Sequence, residues 1–204
     1  MGSDTHILAF DTSAAHCAAA LLSGDHIQSL RHEDMGRGQA ERLMPMLDEI
    51  LTEAGIGWTD LDAIGVGIGP GNFTGIRIAV ATARGLALAL GVPAIGVSRF
   101  DALAYGQPRP CVTLVDAPRG QVYLQRFTEA GAKPPILCAL DDVEDTTEQQ
   151  HRWIGPHEEC AETIARIAAT RIDIDTTTPP APLYIRPADA APARDAAPAL
   201  LDDS

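Results

Sequence analysis

Apolar residues open the chain in short runs and recur further on at helical spacing. Ile7-Leu8-Ala9-Phe10 reads as a buried strand ending at Asp11-Thr12-Ser13. Ala15 to Leu22 predicts a second strand, Ser23-Gly24-Asp25 a hairpin turn, and His26 to Arg31 a third strand. Residues 33–38 predict a polar loop. From Gln39 to Ala54, Leu43, Leu47, Ile50 and Leu51 recur as one helical stripe, and Gly55 supplies a C-cap. Pro45 predicts that this helix starts late or kinks.

The next stretch organises the rest of the chain. Leu61 to Ile68 is mostly apolar, Gly69-Pro70-Gly71-Asn72-Phe73-Thr74-Gly75 is glycine-rich, and Ile76 to Leu90 is a long apolar run. The order is strand, tight turn, helix, the half-unit of α/β sheets. Gly69, Gly71 and Gly75 allow a positive φ or a close backbone approach. Thr74 is placed to cap the helix, whose free N–H groups would then face the loop as an anion site. A rigid turn with no ligand explains the same spacing. The turn is neither a P-loop nor a G-x-G-x-x-G loop. From Ile76 to Leu90 only Arg77, Thr82 and Arg84 are polar, which predicts a helix covered on more than one side. That implies an interface.

Ala94 to Val97 predicts another strand, and Ser98 with Asp101 a capping box for a short helix towards Tyr105. Val112 to Asp116 then repeats the opening theme, an apolar strand ending in Asp. Pro118-Arg119-Gly120 turns it back into Gln121 to Phe127. The repetition at Asp11 and Asp116 predicts two α/β lobes, over 1–105 and 106–175, with a Pro/Ala-rich tail over 176–204. Two unrelated hairpins would match as few positions. Within the second lobe, 128–150 is polar and includes the acidic run from Asp141 to Asp145. Trp153-Ile154-Gly155 predicts a short strand, and His157 to Ala169 a helix built on Cys160, Ile164 and Ile167. The tail is expected to be mobile, with Leu183-Tyr184-Ile185 docked on the body.

Charge narrows the function classes. Of 204 residues, 15 are Lys or Arg and 28 Asp or Glu, a net charge of −13, which argues against unaided binding to a phosphate backbone. The four cysteines (Cys17, Cys111, Cys138, Cys160) lie far apart and read as reduced. The N-terminus has no basic leader and no apolar run is expected to reach bilayer length, so a soluble cytoplasmic protein is expected.

Several segments together resemble one family. They are Ile7-Leu-Ala-Phe-Asp-Thr-Ser13, Arg42-x-x-Pro45, Gly67-x-Gly-Pro-Gly-x-Phe-Thr-Gly-x-Arg77, Gly96-Val97-Ser98, Val115-Asp-Ala-x-x-Gly-x-Val-Tyr123 and Leu183-Tyr-Ile-Arg186. They resemble the TsaB (YeaZ) family of tRNA threonylcarbamoyladenosine biosynthesis, paralogues of the glycoprotease-like TsaD transferases. The resemblance runs from residue 7 to about 186. It implies an α/β fold of two lobes, the actin-like ATPase and sugar-kinase (ribonuclease H-like) arrangement, with the second lobe reduced.

It also implies a non-catalytic subunit that binds and activates TsaD. The complex would transfer threonylcarbamoyl from its adenylate to the adenosine beside the anticodon of ANN-decoding tRNAs. In the family the ATPase TsaE joins the pair, and TsaC makes the activated intermediate. The interface is expected on Leu43, Leu47 and Ile50 of the first helix and Ile76, Val80, Ala83 and Ala87 of the second. For any one of these residues a contact within the chain's own core is the commoner role. The same patch favours a homodimer when the chain is alone, and tRNA contacts are expected mainly through the complex.

TsaD-like members carry an H-x-x-x-H metal pair at the first helix. Here that region reads Gly36-Arg-Gly-Gln-Ala-Glu-Arg42, and the six histidines include no pair at that spacing. In the wider superfamily the Asp-Thr-Ser turn and its second-lobe counterpart wrap phosphates. Asp11, Thr12, Ser13, Gly69, Gly71, Thr74, Gly75 and Asp116 are therefore the candidates for a degenerate phosphate loop. Capping of strand ends is the preferred role for Asp11 and Asp116. No intrinsic cofactor or metal is expected, with room left for weak ATP or ADP at the complex interface.

Two other classes stay open: a small-molecule phosphotransferase on this fold, and a hydrolase. The hydrolase is disfavoured because Ser13 and Ser98 lack evident His and acid partners in the sequence.

Overall fold

β1 (His6–Asp11) is apolar at nearly every position because both of its faces are covered. It pairs antiparallel with β2 (His16–Ser23), which pairs antiparallel with β3 (His26–Asp34). On its other edge β1 pairs parallel with β4 (Ala63–Gly67), and β4 pairs parallel with β5 (Ala94–Val97). The first sheet therefore runs β3-β2-β1-β4-β5. The computed structural model describes residues 5–143, 152–154, 160–173 and 178–185.

Period-two alternation along β1 sorts its side chains between two cores. Leu8 and Phe10 join Leu43, Leu47 and Ile50 of α1 (Gln39–Ala54) and Ala79 and Ala83 of α2 (Phe73–Leu90). Ile7 and Ala9 face the opposite way, against Ile164, Ala165 and Ala168 of α4 (Cys160–Arg171). Arg171 hydrogen-bonds Asp101 at 3.1 Å, tying α4 to α3 (Arg99–Ala104).

The second sheet is built on the hairpin of β6 (Cys111–Ala117) and β7 (Gln121–Thr128). β8 (Gly131–Ala132) and β9 (Ile136–Ala139) both pair with β7, and β10 (Arg152–Ile154) lies parallel to β6. Phe100 and Leu103 of α3 pack on Cys111, Val115 and Phe127, joining the two sheets through one helix. Leu183 and Ile185 pack on the same cluster, and the Leu183 N–H donates to the Ile68 carbonyl at 2.8 Å. This is the two-lobed α/β architecture expected from the resemblance, with a small second lobe.

Several local expectations change. β3 continues to Asp34, so the polar loop begins later than residue 33. α1 runs unbroken over Gln39–Ala54 with Pro45 inside it on the exposed side, and Gly55 caps it at φ 71°. Arg42 of the Arg-x-x-Pro segment holds Glu33 at 2.6 and 2.7 Å and Glu49 at 2.8 Å, pinning α1 to β3. The α2 cap is Asn72, whose side chain accepts from the Gly75 N–H at 2.9 Å. Thr74 lies inside the first turn and does not cap.

α4 falls in the sequence range of the second lobe but packs on the first sheet, so the lobes are not consecutive in the chain. No local pattern reports which sheet an apolar stripe will meet. The expectation of no bilayer-length apolar run also fails. α2 has 18 residues at a mean hydropathy of 1.4, long and apolar enough by length and composition to cross a membrane. Here it lies on the first sheet. Gly155, the acidic residues 144–145, His157 and the tail beyond 185 lie outside the described residues.

The interface residues need the largest correction. Leu43, Leu47, Ile50, Ile76, Val80 and Ala83 are buried in the chain's own core, and Ala87 is half-buried. Their spacing marks the inward stripe of each helix. The outward side carries Met44, Phe73, Arg77, Ala81, Gly85 and Leu88, with Leu88 88% exposed.

Candidate functional site

Two turns meet at the C-terminal end of β1. One is Asp11-Thr12-Ser13 and the other is the glycine-rich turn, and they touch backbone to backbone. A Cβ at Gly75 would overlap the Thr12 carbonyl oxygen, and one at Gly71 the Ser13 carbonyl oxygen. The glycines thus serve a close approach within the protein. Thr12 Oγ1 donates to the Gly75 carbonyl at 2.7 Å, and the Asn72 N–H donates to the Ser13 carbonyl at 2.7 Å. The Ser13 N–H is taken by Asp11 Oδ2 at 3.2 Å, and the Gly75 N–H by Asn72. The Thr12 hydroxyl and three backbone N–H donors that could have wrapped a phosphate are therefore engaged internally.

Asp11 is the hub. Its Oδ2 accepts from the Ser13 hydroxyl at 2.9 Å and lies 2.8 Å from His16 Nε2. Burial by itself pushes the Asp11 carboxyl up. The hydrogen bond and charge of His16, the charge of Arg99 and the Ser13 hydroxyl outweigh it and hold the group below its ordinary value. Among the described residues Oδ1 has no hydrogen-bond partner, and it lies against Gly67, where a Cβ would overlap it.

The structure does bring an acid and a histidine to Ser13. They stand in the wrong order for nucleophilic catalysis: His16 engages Asp11, the hydroxyl proton of Ser13 also points to Asp11, and Ser13 is fully buried.

Beyond this hub opens a cleft of about 590 Å³ between the lobes. Ser13, His16, His32, Asp34 and Gly71 line the first-lobe side, and Asp116, Pro118 and Tyr123 the second-lobe side, with Arg99 between. Asp116 is exposed at the end of β6, whereas Asp11 is sealed in. Of the phosphate-loop candidates, Ser13, Gly71 and Asp116 line this cleft. Asp11, Thr12, Gly69, Thr74 and Gly75 do not, and Thr74 and Gly75 line a separate groove beside Gly36 to Glu41.

Sequence reasoning missed His16, His32 and Arg99. The signal for the two histidines was the hairpin register, which sets His16 opposite Asp34 and leaves the rings 4.9 Å apart. Among the described residues no group of three His, Cys, Asp or Glu side chains is arranged to hold a metal ion.

Comparison with known proteins agrees with the architecture. The family model for TsaD, tRNA N6-adenosine threonylcarbamoyltransferase, matches residues 32–180. The tRNA threonylcarbamoyladenosine biosynthesis protein TsaB of Escherichia coli is 36% identical over 148 residues, 64% of this chain and 64% of that protein. The chain thus spans just under two thirds of the E. coli relative. TsaB of Buchnera aphidicola from Schizaphis graminum is 32% identical over 160 residues, covering 72% of this chain and 76% of the relative. The structure of YeaZ from Pseudomonas aeruginosa superposes with a TM-score of 0.69 at 28% identity, over 89% of this chain and 100% of that one. On the motif, the lobes and these matches together, the chain belongs to the TsaB (YeaZ) family.

Proposed function

We propose that this chain is a non-catalytic partner subunit in tRNA threonylcarbamoyladenosine biosynthesis. It binds and activates TsaD, which transfers threonylcarbamoyl to the adenosine beside the anticodon of ANN-decoding tRNAs. The observation that carries this reading is the outward side of α2. Its inward stripe is spent on the first sheet, yet Ala81, Gly85 and Leu88 remain uncovered on the other side, and Met44 of α1 is exposed as well. Small residues flanking one exposed leucine let a second helix approach closely and bury that leucine. TsaD occupies this face in the working complex, TsaE joins that complex, and a second copy of this chain covers the face when TsaD is absent.

The internal engagement of Ser13, Asn72 and Gly75 backbone donors supports a degenerate phosphate loop. The chain then has no intrinsic cofactor, and ATP or ADP binds weakly where TsaD completes the site. The buried Ser13 supports a non-catalytic role over a hydrolase.

Co-expression with the TsaD of the same organism, with mass measured by light scattering on a sizing column, tests the reading. Leu88→Glu and Ala81→Glu should abolish a one-to-one complex while leaving the circular dichroism spectrum and melting temperature near those of the parent. A complex that survives both changes removes α2 as the docking face. Absence of any complex with the parent chain sinks the partner role itself.

A further inference from the structure

Phe73, Arg77 and Tyr184 form a second feature at the N-terminal end of α2, away from Leu88. The Arg77 guanidinium lies 3.7 Å from the centroid of the Phe73 ring, and its Nε donates to the Tyr184 hydroxyl at 2.9 Å. The two rings are 5.5 Å apart and tilted by 30°, with Phe73 54% and Tyr184 45% exposed. Two large rings held in water by a cation are costly for a monomer to display, and their arrangement is fixed in advance. Beside them a hollow of about 350 Å³ is lined by Pro70, Ile76, Pro118, Tyr123 and Ile185. It shares Gly71, Asn72, Pro118 and Tyr123 with the interlobe cleft, so the two adjoin.

Among the described residues no carboxylate lines the hollow itself, although acids outnumber bases 28 to 15 overall and Asp34 and Asp116 line the adjoining cleft. Arg77 makes no hydrogen bond through its Nη groups among the described residues. An electron-rich planar group with an anion attached suits such a surface, and an acidic peptide supplies the anion without the ring. The Arg77 guanidinium covers one face of Phe73, so a base stacks on the opposite face, with Tyr184 alongside. An open shelf of this kind suits a base carried on a strand better than a free nucleotide, which needs enclosure.

We propose that Phe73, Tyr184 and Arg77 form a stacking shelf for an unpaired base of an RNA strand. This deepens the proposed role by giving the chain its own contact with the RNA substrate. Because the net charge is −13, affinity here comes from ring stacking and one guanidinium and only slightly from phosphate neutralisation. The salt dependence is correspondingly shallow.

The test is fluorescence anisotropy of labelled hexa-adenylate RNA with the full chain, alone and in complex with TsaD. Variants are Phe73→Ala, Tyr184→Ala and Arg77→Gln, and competitors are a duplex RNA of equal length and AMP. The expected result is binding that falls about 5- to 150-fold in Phe73→Ala, the range for loss of one stacked base. Duplex and AMP should compete weakly. No binding, binding that survives all three variants, or equal competition by duplex overturns the shelf. Equal competition by AMP overturns it in favour of a mononucleotide site. Phe73→Ala that loses TsaD but keeps the RNA shows a protein contact and also overturns it. The Leu88→Glu sizing experiment reads the TsaD partnership separately, so the two ideas can fail independently.

Discussion

The carbonyl oxygen of Thr12 occupies the space that a side chain on residue 75 would need, and Thr12 Oγ1 donates in return to the Gly75 carbonyl. This one contact locks the end of β1 to the start of α2. Gly75→Ala should push the two turns apart and cost about 1–3 kcal/mol, as overpacking of a tight site does. In a protein of this size that is a fall in melting temperature of roughly 2–12 °C. An unchanged melting curve for Gly75→Ala contradicts the locked contact.

Asp11 predicts a specific acid response. Its folded value lies below the ordinary 3.8, so folding favours the charged form. That contribution is complete above about pH 4 and is lost as pH falls through the depressed folded value. Asp11→Asn should therefore be less stable than the parent at pH 7, with the gap closing in acid. Urea melts of both proteins at pH 7, 5 and 3 read it directly. A gap that stays constant to pH 3 means that Asp11 does not carry the charge in the fold.

Leu47 on α1 and Leu88 on α2 are both helical leucines, and their truncation should differ sharply. Leu47 is fully buried, so Leu47→Ala should cost about 2–5 kcal/mol. Leu88→Ala, at 88% exposure, should move stability by no more than about 0.5 kcal/mol. Equal losses in thermal denaturation would mean that α2 lies the other way round on the sheet.

The four thiols should differ in reactivity. Cys17 and Cys160 are buried, and burial pushes both up, Cys17 to about 11 with the Glu33 charge adding to it. Cys111 is buried as well, and Cys138 is half-buried on β9. Titration with a disulfide reagent under native conditions should modify Cys138 first and the other three only on unfolding. Rapid reaction of Cys17 would contradict the packing of α1 over β2.

Local periodicity carried much of this fold. The limits of α1 were legible because Leu43, Leu47, Ile50 and Leu51 keep one stripe up to Gly55. The strand–turn–helix unit around Gly69 to Gly75 was equally plain. What periodicity does not report is direction. It identified the apolar stripe of each helix, and for α1 and most of α2 that stripe faces inward, leaving Met44 and Leu88 outside. In the site, Asp11 and Asp116 stood out as strand ends. The partnership of Asp11 with His16 depends on a hairpin register, and that of Arg99 on the crossing of α3 between the sheets. Those are relations in space that no short window of sequence contains.

The position of α4 has a consequence for synthesis. Ile7, Ala9, Ala63 and Ile95 share a core cluster with Ile164, Ala165 and Ala168, to which α3 contributes only Ala102 before these arrive. On the ribosome, the five strands of the first sheet emerge long before the helix that closes their second face. A nascent chain halted after residue 143 therefore presents a naked apolar sheet face, a natural client for chaperones and proteases. Maturation of the first lobe waits for synthesis to pass Arg171.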